Sequence, residues 1–415
     1  MAQQQISYYF KTNLKEILFF IFLWILLYIE PITMGSLKIS QIWKAVVVVG
    51  MFGYLLTKRF PAYLWLGFLF SFKYLLYTKF PYGYLTAIQD MLETMIFPLF
   101  LGFFYIKYRN RQDGTEQLVH IAILLSLFVV FSTVPFMFGL KSLNPETELY
   151  KYGVEGEATK GLFYHIAVSS KIFTISTIVL INAYKRFSNN IINKSIWLSA
   201  VLLGTWFVVS SWTRTGWFMF LIALLISLFY NSSFKKKLGA IFISALILIG
   251  IAWVYNNNLA FKYRLTGGAV YRTNTTLSVD QLEKARLPFV FVAIDNLKDE
   301  GLPGQLFGYG TQHGVDLFKQ KTGMAIVSHN RTTEILESSG IVGLLLYISF
   351  ILILFKKVIA RWNYVSNEIK KQAFISMLLF GGFYLTSHGT PFWGEIIYGC
   401  FFMAIITNKN TYAKR

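Results

Sequence analysis

Apolar runs about as long as a bilayer is thick recur twelve times along this chain, and that recurrence limits what it can fold into. They lie near residues 17–34, 42–57, 61–78, 88–106, 118–140, 161–183, 196–212, 215–230, 238–256, 340–355, 372–388 and 392–407. A helix needs about 17 to 25 residues to cross a hydrocarbon core of about 30 Å, and within that core each backbone N–H and C=O has to be satisfied inside the segment. Of the 415 residues 55% are hydrophobic and 14% charged, whereas soluble domains carry about 25% charged residues. The expected fold class is an all-α polytopic membrane protein with about twelve transmembrane helices.

One turn has to be inferred where the apolar character hardly breaks. From Ser195 to Tyr230 only "SSWTRT" at 210–215 interrupts it. A single helix over that stretch would run to about 50 Å at 1.5 Å per residue, too long for one crossing, so a hairpin with Arg214 near its tip is expected. The first run follows Lys11 and Lys15 and ends in Glu30-Pro31 without a small-residue cleavage site; it reads as a retained span rather than a removed signal peptide. The single cysteine, Cys400, falls in the last run and excludes an intramolecular disulfide.

Orientation follows from where the cations collect. Alternate connections carry "TKRF", "KYRNR", "YKRFSNNIINK", "FKKK", the group from Lys356 to Lys371 and the tail "NKNTYAKR"; with Lys11 and Lys15 they hold 21 of the 39 lysines and arginines. Positively charged loops stay inside, so these connections and both termini are expected in the cytoplasm. The net charge of +19 is then accounted for by headgroups of the lipid bilayer. Lysines scattered over short turns lack the basic face with interleaved aromatics that nucleic-acid binding needs. The domain organisation expected is helices one to nine over 1–256, one long extracytoplasmic loop over 257–333 with short helices around 280–300 and 309–321, and helices ten to twelve plus a tail over 334–415.

That loop is basic on the side where cations are scarce. Lys262, Arg264, Arg272, Lys284, Arg286, Lys298, Lys319, Lys321 and Arg331 stand against six acids, with Arg214 at the same level. Arginine suits a phosphate because its planar guanidinium donates parallel charge-assisted hydrogen bonds and never loses its charge; an anionic ligand is expected. At the loop's end Asn330 can cap a helix with Glu334 in its first turn, which leaves His329 free to take a proton from a hydroxyl near neutral pH. His165 and Lys171 are ionisable groups within a span, a placement that marks function, although six residues apart they face different sides. Arg264 and Arg272 could extend the phosphate site or meet an acceptor sugar. No metal site is expected: the first outer loop has only Glu30, and "EGE" at 155–157 reads as a solvated pair.

Three segments carry a resemblance. "VVSSWTRTGWFMFLIALL", "KARLPFVFVAIDNLKDEGLPGQLFGYGTQHGVD" and "SHNRTTEILESSGIVGLLLYISF" resemble, in order and spacing, the signature segments of the O-antigen polymerase and O-antigen ligase superfamily. They span residues 205–350, about a third of the chain, while the first 200 residues match only in hydropathy. Ala285 stands where the family often has glycine and Val290 where it often has tryptophan; neither removes a functional group.

The resemblance implies a C-type membrane glycosyltransferase, inverting, metal-independent and without cofactor, in a bacterial inner (plasma) membrane with its site facing outward. Its donor would be a glycan on undecaprenyl diphosphate. Its acceptor would be another repeat unit for a polymerase, or lipid A core for a ligase, with other polysaccharide-assembly proteins as partners. Carried over by residue, Arg214 and Arg286 would hold the diphosphate and His329 would act on the acceptor hydroxyl, with Asn330 and Glu334 beside the substrate. Polymerases are the more numerous branch, so a repeat-unit polymerase is expected first and an O-antigen ligase second. A lipid-linked oligosaccharide flippase would instead need related halves and mid-bilayer charges, whereas the charges here gather at one face.

Overall fold

The structure is a computed structural model that describes residues 10–34, 37–76, 83–143, 159–163, 165–230, 234–258, 286–322, 330–386 and 392–408. The described residues are mostly helical. In order, the helices are α1 (Leu14–Tyr28), α2 (Ile39–Leu56), α3 (Leu64–Phe72), α4 (Gly83–Tyr108), α5 (Gly114–Met137), α6 (Ile166–Asn182), α7 (Tyr184–Phe187), α8 (Ile191–Ser210), α9 (Arg214–Phe229) and α10 (Phe234–Asn257). There follow α11 (Arg286–Asp299), α12 (Gly301–Phe307), α13 (Thr311–Thr322), α14 (Arg331–Ala360), α15 (Asn367–Thr386) and α16 (Phe392–Ile406). A two-stranded antiparallel ribbon, β1 (Thr33–Met34) and β2 (Leu37–Lys38), joins α1 to α2.

Each of the twelve apolar runs overlaps a helix, and among the described residues five helices are long and apolar enough to cross a membrane: 39–56, 87–108, 114–137, 191–210 and 331–360. Two elements depart from the expected lengths. The third run gives a nine-residue α3, about 14 Å long, closed by a 3-10 turn at Lys73–Leu76. Helix α14 begins about ten residues before its apolar run, because Asn330 caps it in the polar segment and Gly340 then breaks it.

The chain divides into two compact units, each built from several stretches. Unit one comprises residues 1–40, 113–274 and 366–379. Its centre is α6, buried at every position from Ser169 to Leu180, as expected of a helix surrounded on all sides. Hydroxyl residues on α6 meet glycines of its neighbours: an added methyl group would strike Thr177 from Gly204 on α8, or Ser170 from Gly216 on α9. Small residues at such crossings let helix backbones approach closely. At one end, Arg186 Nε and Nη1 hold Glu368 (2.8 Å) and Glu116 (2.7 Å). Burial alone would lower the Arg186 pKa; the two carboxylates overcome that and leave it raised. The same end holds the Phe10 N–H to Arg186 carbonyl bond (2.8 Å) and the Glu16–His120 contact (3.4 Å).

Unit two comprises residues 41–112, 275–365 and 380–415. Its core is α16 against α4, with Ile396 to Ile406 buried throughout. Helix α3 crosses α4 where Gly67 seats the Pro98 ring, an added Cβ lying 2.9 Å from it. Helix α14 packs on α3 and also carries α11 and α12.

Candidate functional site

The polar residues of unit two gather around the first nine residues of α14 and its break. Asn330 Oδ1 accepts the Thr333 N–H (3.2 Å), satisfying a donor at the helix start. Its Nδ2 donates to the Leu385 carbonyl (2.6 Å), which ties this end of α14 to the end of α15. At Gly340 the backbone takes φ 65 and ψ −173, outside the helical region. The carbonyls of Glu337 and Ser338 then accept from Tyr309 N–H (3.0 Å) and Gly310 N–H (3.3 Å) of the "GYG" turn. Both contact points are glycines for a steric reason. A methyl group on Gly308 (φ 77) would run into the Ser338–Ser339 backbone, and one on Gly340 into Leu306 and Gly308.

Side chains reinforce this clasp. Tyr309 Oη donates to Glu337 Oε1 (2.8 Å), and both residues are buried. Burial first, then the adjacent Glu337 carboxylate, push the Tyr309 pKa well above its usual range, so the phenol remains a donor. From the 3-10 turn that closes α3, Lys73 Nζ donates to the Ser338 carbonyl (3.3 Å) and Tyr74 Oη lies 3.2 Å from Ser338 Oγ. The "GYG" turn also bonds through Thr311 Oγ1 to Asp90 Oδ2 on α4 (3.2 Å).

Beside the clasp is a second group of ionisable residues. Arg331 Nη1 lies 3.6 Å from Glu334 Oε2; the arginine side chain is 31% exposed and the glutamate 9%. The phenols of Tyr74, Tyr347 and Tyr384 are near enough to Arg331 to interact with its charge. Tyr347 and Tyr384 stack at 5.6 Å with 18° between their planes, and Tyr384 Oη donates to Glu395 Oε1 (2.8 Å). Carboxylate, guanidinium and phenol groups in apolar surroundings strengthen one another's hydrogen bonds, and intramembrane placement of such groups ordinarily marks function.

The expected site residues divide between the units. In unit one, Arg214 is the first residue of α9 behind the Thr213 N-cap, and the chain turns between Ser210 and Arg214 through Trp212 at φ 51. The start of α9 lies on α6: Thr174 Oγ1 is 3.4 Å from the Gly216 carbonyl. His165 caps α6, its Nδ1 accepting the Ala167 N–H (3.0 Å), and Lys171 is fully buried one and a half turns later. In unit two, Asn330 and Glu334 lie at the start of α14, and Arg286 is the first described residue of α11, whose backbone packs on α14. His329, Arg264 and Arg272 lie outside the described residues.

Sequence reasoning passed over Lys73, Tyr74, Glu337, Tyr309, Tyr384 and Glu395. Two of these carried a readable signal. Lys73 in "FLFSFKYLLY" and Glu395 in "FWGEIIYGCFF" are charged residues inside apolar runs, the pattern that singled out Lys171. The tyrosines gave none, since the chain has 25. No protein-family model matches the chain, and no curated protein matches it significantly.

Proposed function

We propose that this chain is a membrane glycosyltransferase of bacterial surface-polysaccharide assembly, moving a glycan from undecaprenyl diphosphate to an acceptor sugar hydroxyl. The repeat-unit polymerase is the form we put forward. It would cross the inner membrane twelve times, with both termini cytoplasmic and the site outside. The observation that carries the reading is the clasp. The second and third signature segments are joined through Tyr309–Glu337 and the Gly308–Gly340 contact, so the helix opened by Arg286 and the helix that follows His329 belong to one arrangement.

The chemistry fits these residue types. The acceptor oxygen attacks the anomeric carbon from the face opposite the diphosphate, the bond to the diphosphate oxygen breaks, and that oxygen takes the electron pair. The hydroxyl proton passes to the His329 imidazole. Negative charge grows on the leaving group during the step, so a guanidinium group from Arg286 stabilises the transition state more than the bound donor. Losing one such donor costs about 3 kcal/mol, roughly a hundredfold in rate.

The test is glycan analysis of a strain lacking the chain, complemented with wild type, Arg286→Ala or His329→Ala. Single repeat units on the carrier or final acceptor, with chain growth restored by wild type only, support the polymerase. Full-length chains stranded on undecaprenyl diphosphate would replace it with the ligase. An unchanged profile, or full complementation by both variants, would overturn the transferase.

A further inference from the structure

The clasp is more elaborate than packing requires. Helix α14 could have continued unbroken through Gly340; instead it gives up helical geometry there, and the carbonyls of Glu337 and Ser338 take donors from the Tyr309–Gly310 turn. The Ser338 carbonyl takes a further donor from Lys73, so turn, broken helix and the 3-10 turn that closes α3 converge on one peptide group. Tyr309 is 1% exposed and Glu337 5%, and a buried phenol on a buried carboxylate is a charge-assisted bond with one geometry. The turn is continuous in sequence with α12 and α11. Both pack on α14, with α13 packed on α11 beyond the turn.

Resting on the transferase reading, we propose that Tyr309 and Glu337 are positioning residues: their hydrogen bond fixes the helix that starts at Arg286 against the helix that follows His329. Neither residue touches substrate. The outer segment 286–322 is thereby held as a rigid clamp before the donor arrives. Preorganisation of this kind matters because a misplacement of about 1 Å can cost on the order of a hundredfold in rate.

Two measurements on the full-length protein test this. Spin labels at exposed Phe291 on α11 and Leu345 on α14, in a Cys400→Ala background, report the separation of the two helices. A narrow distance distribution in wild type should broaden in Tyr309→Phe, which keeps the ring and removes the donor. It should stay narrow in Glu337→Gln, whose amide oxygen still accepts. An unchanged distribution in Tyr309→Phe, or equal broadening in Glu337→Gln, overturns the proposal. Should Tyr309→Phe not fold, Glu337→Asp, which withdraws the acceptor by one methylene, takes its place with the same expectation.

The second measurement is transfer kinetics with the lipid-linked glycan that accumulates in the deletion strain. Tyr309→Phe should lower kcat about ten- to a hundredfold with KM for the donor little changed, and Glu337→Gln should restore most of wild-type kcat. A Tyr309→Phe enzyme with wild-type kcat overturns the positioning role. A wild-type protein with no transfer activity removes the transferase reading instead, and the label distances still decide whether the bond sets the helix separation.

Discussion

At the scale of single residues, the structure separates jobs that the sequence leaves entangled. His165 is the clearest case: an ionisable residue at the edge of a span that caps α6 with its Nδ1. A cap of this kind contributes about 1 kcal/mol, and asparagine fills the position at least as well. His165→Asn is therefore expected to keep thermal stability, and glycan assembly by the stably folded variant reads whether the imidazole also serves the substrate: lost assembly assigns it there, retained assembly leaves it the cap. Asn330 bonds to both Thr333 and Leu385. Asn330→Ala should cost about 2 kcal/mol, one part for the cap and one for the Leu385 carbonyl left without this donor, read as a lowered Tm. Tyr309 adds a pH dependence. Its pKa is raised in the fold above the ordinary 10.0, so its stabilising contribution is complete below that value and falls as pH climbs beyond it. Wild type should lose more stability than Tyr309→Phe between neutral pH and about pH 11, the ordinary tyrosine range being near 10; parallel curves would contradict the assignment.

At the scale of elements, glycines decide how helices meet. Gly301 and Gly308 both have positive φ, but a methyl group at Gly301 finds open space whereas one at Gly308 meets backbone. Gly301→Ala should cost only the left-handed conformation, about 1 to 2 kcal/mol. Gly308→Ala and Gly340→Ala add a clash with atoms that cannot rotate away, a further 1 to 3 kcal/mol or about that, and should lower folded yield well below Gly301→Ala in the same membranes. Equal yields would mean that the clasp is not the packed contact described. The contrast also marks how far the sequence could be read. Hydropathy picked out runs that each overlap a helix, five of them on helices that are, among the described residues, long and apolar enough to cross a membrane, because apolar character is a sum over about twenty residues and tolerates local error. It missed the break at Gly340 and the shortness of α3, which depend on a carbonyl finding a donor from a distant turn. The pairing of the "GYG" turn with α14 is a tertiary fact. Asn330 and Glu334 were legible as a helix start from local spacing; Lys73 and Glu395 were legible as charges in apolar runs; the Tyr309–Glu337 bond was not legible at all, since neither residue is unusual in its own neighbourhood.

At the scale of the whole molecule, what the charge pattern says about sidedness can be compared with which ends meet inside each unit. In unit one, Glu16 near the start of α1 touches His120 near the start of α5, while Tyr28 at the end of α1 donates to the Lys141 carbonyl beyond α5 (3.1 Å). The two helices therefore run parallel, as spans one and five must if connections alternate. In unit two, the Arg109 Nη1 to Arg59 carbonyl bond (3.1 Å) joins two connections expected inside, and Asn330 to Leu385 joins two expected outside. Since Cys400 is buried and the chain has no other cysteine, a Cys400→Ala protein offers a clean background for single cysteines at exposed Lys58, Asn110, Lys141 and Lys298. In right-side-out membrane vesicles a membrane-impermeant maleimide should label 141 and 298 directly, and 58 and 110 only after permeabilisation. Labelling of 58 together with 141 would invert or break the topology, and with it the outward site, because the lysines and arginines that hold a cytoplasmic loop in place would then lie on the face where the diphosphate is proposed to bind.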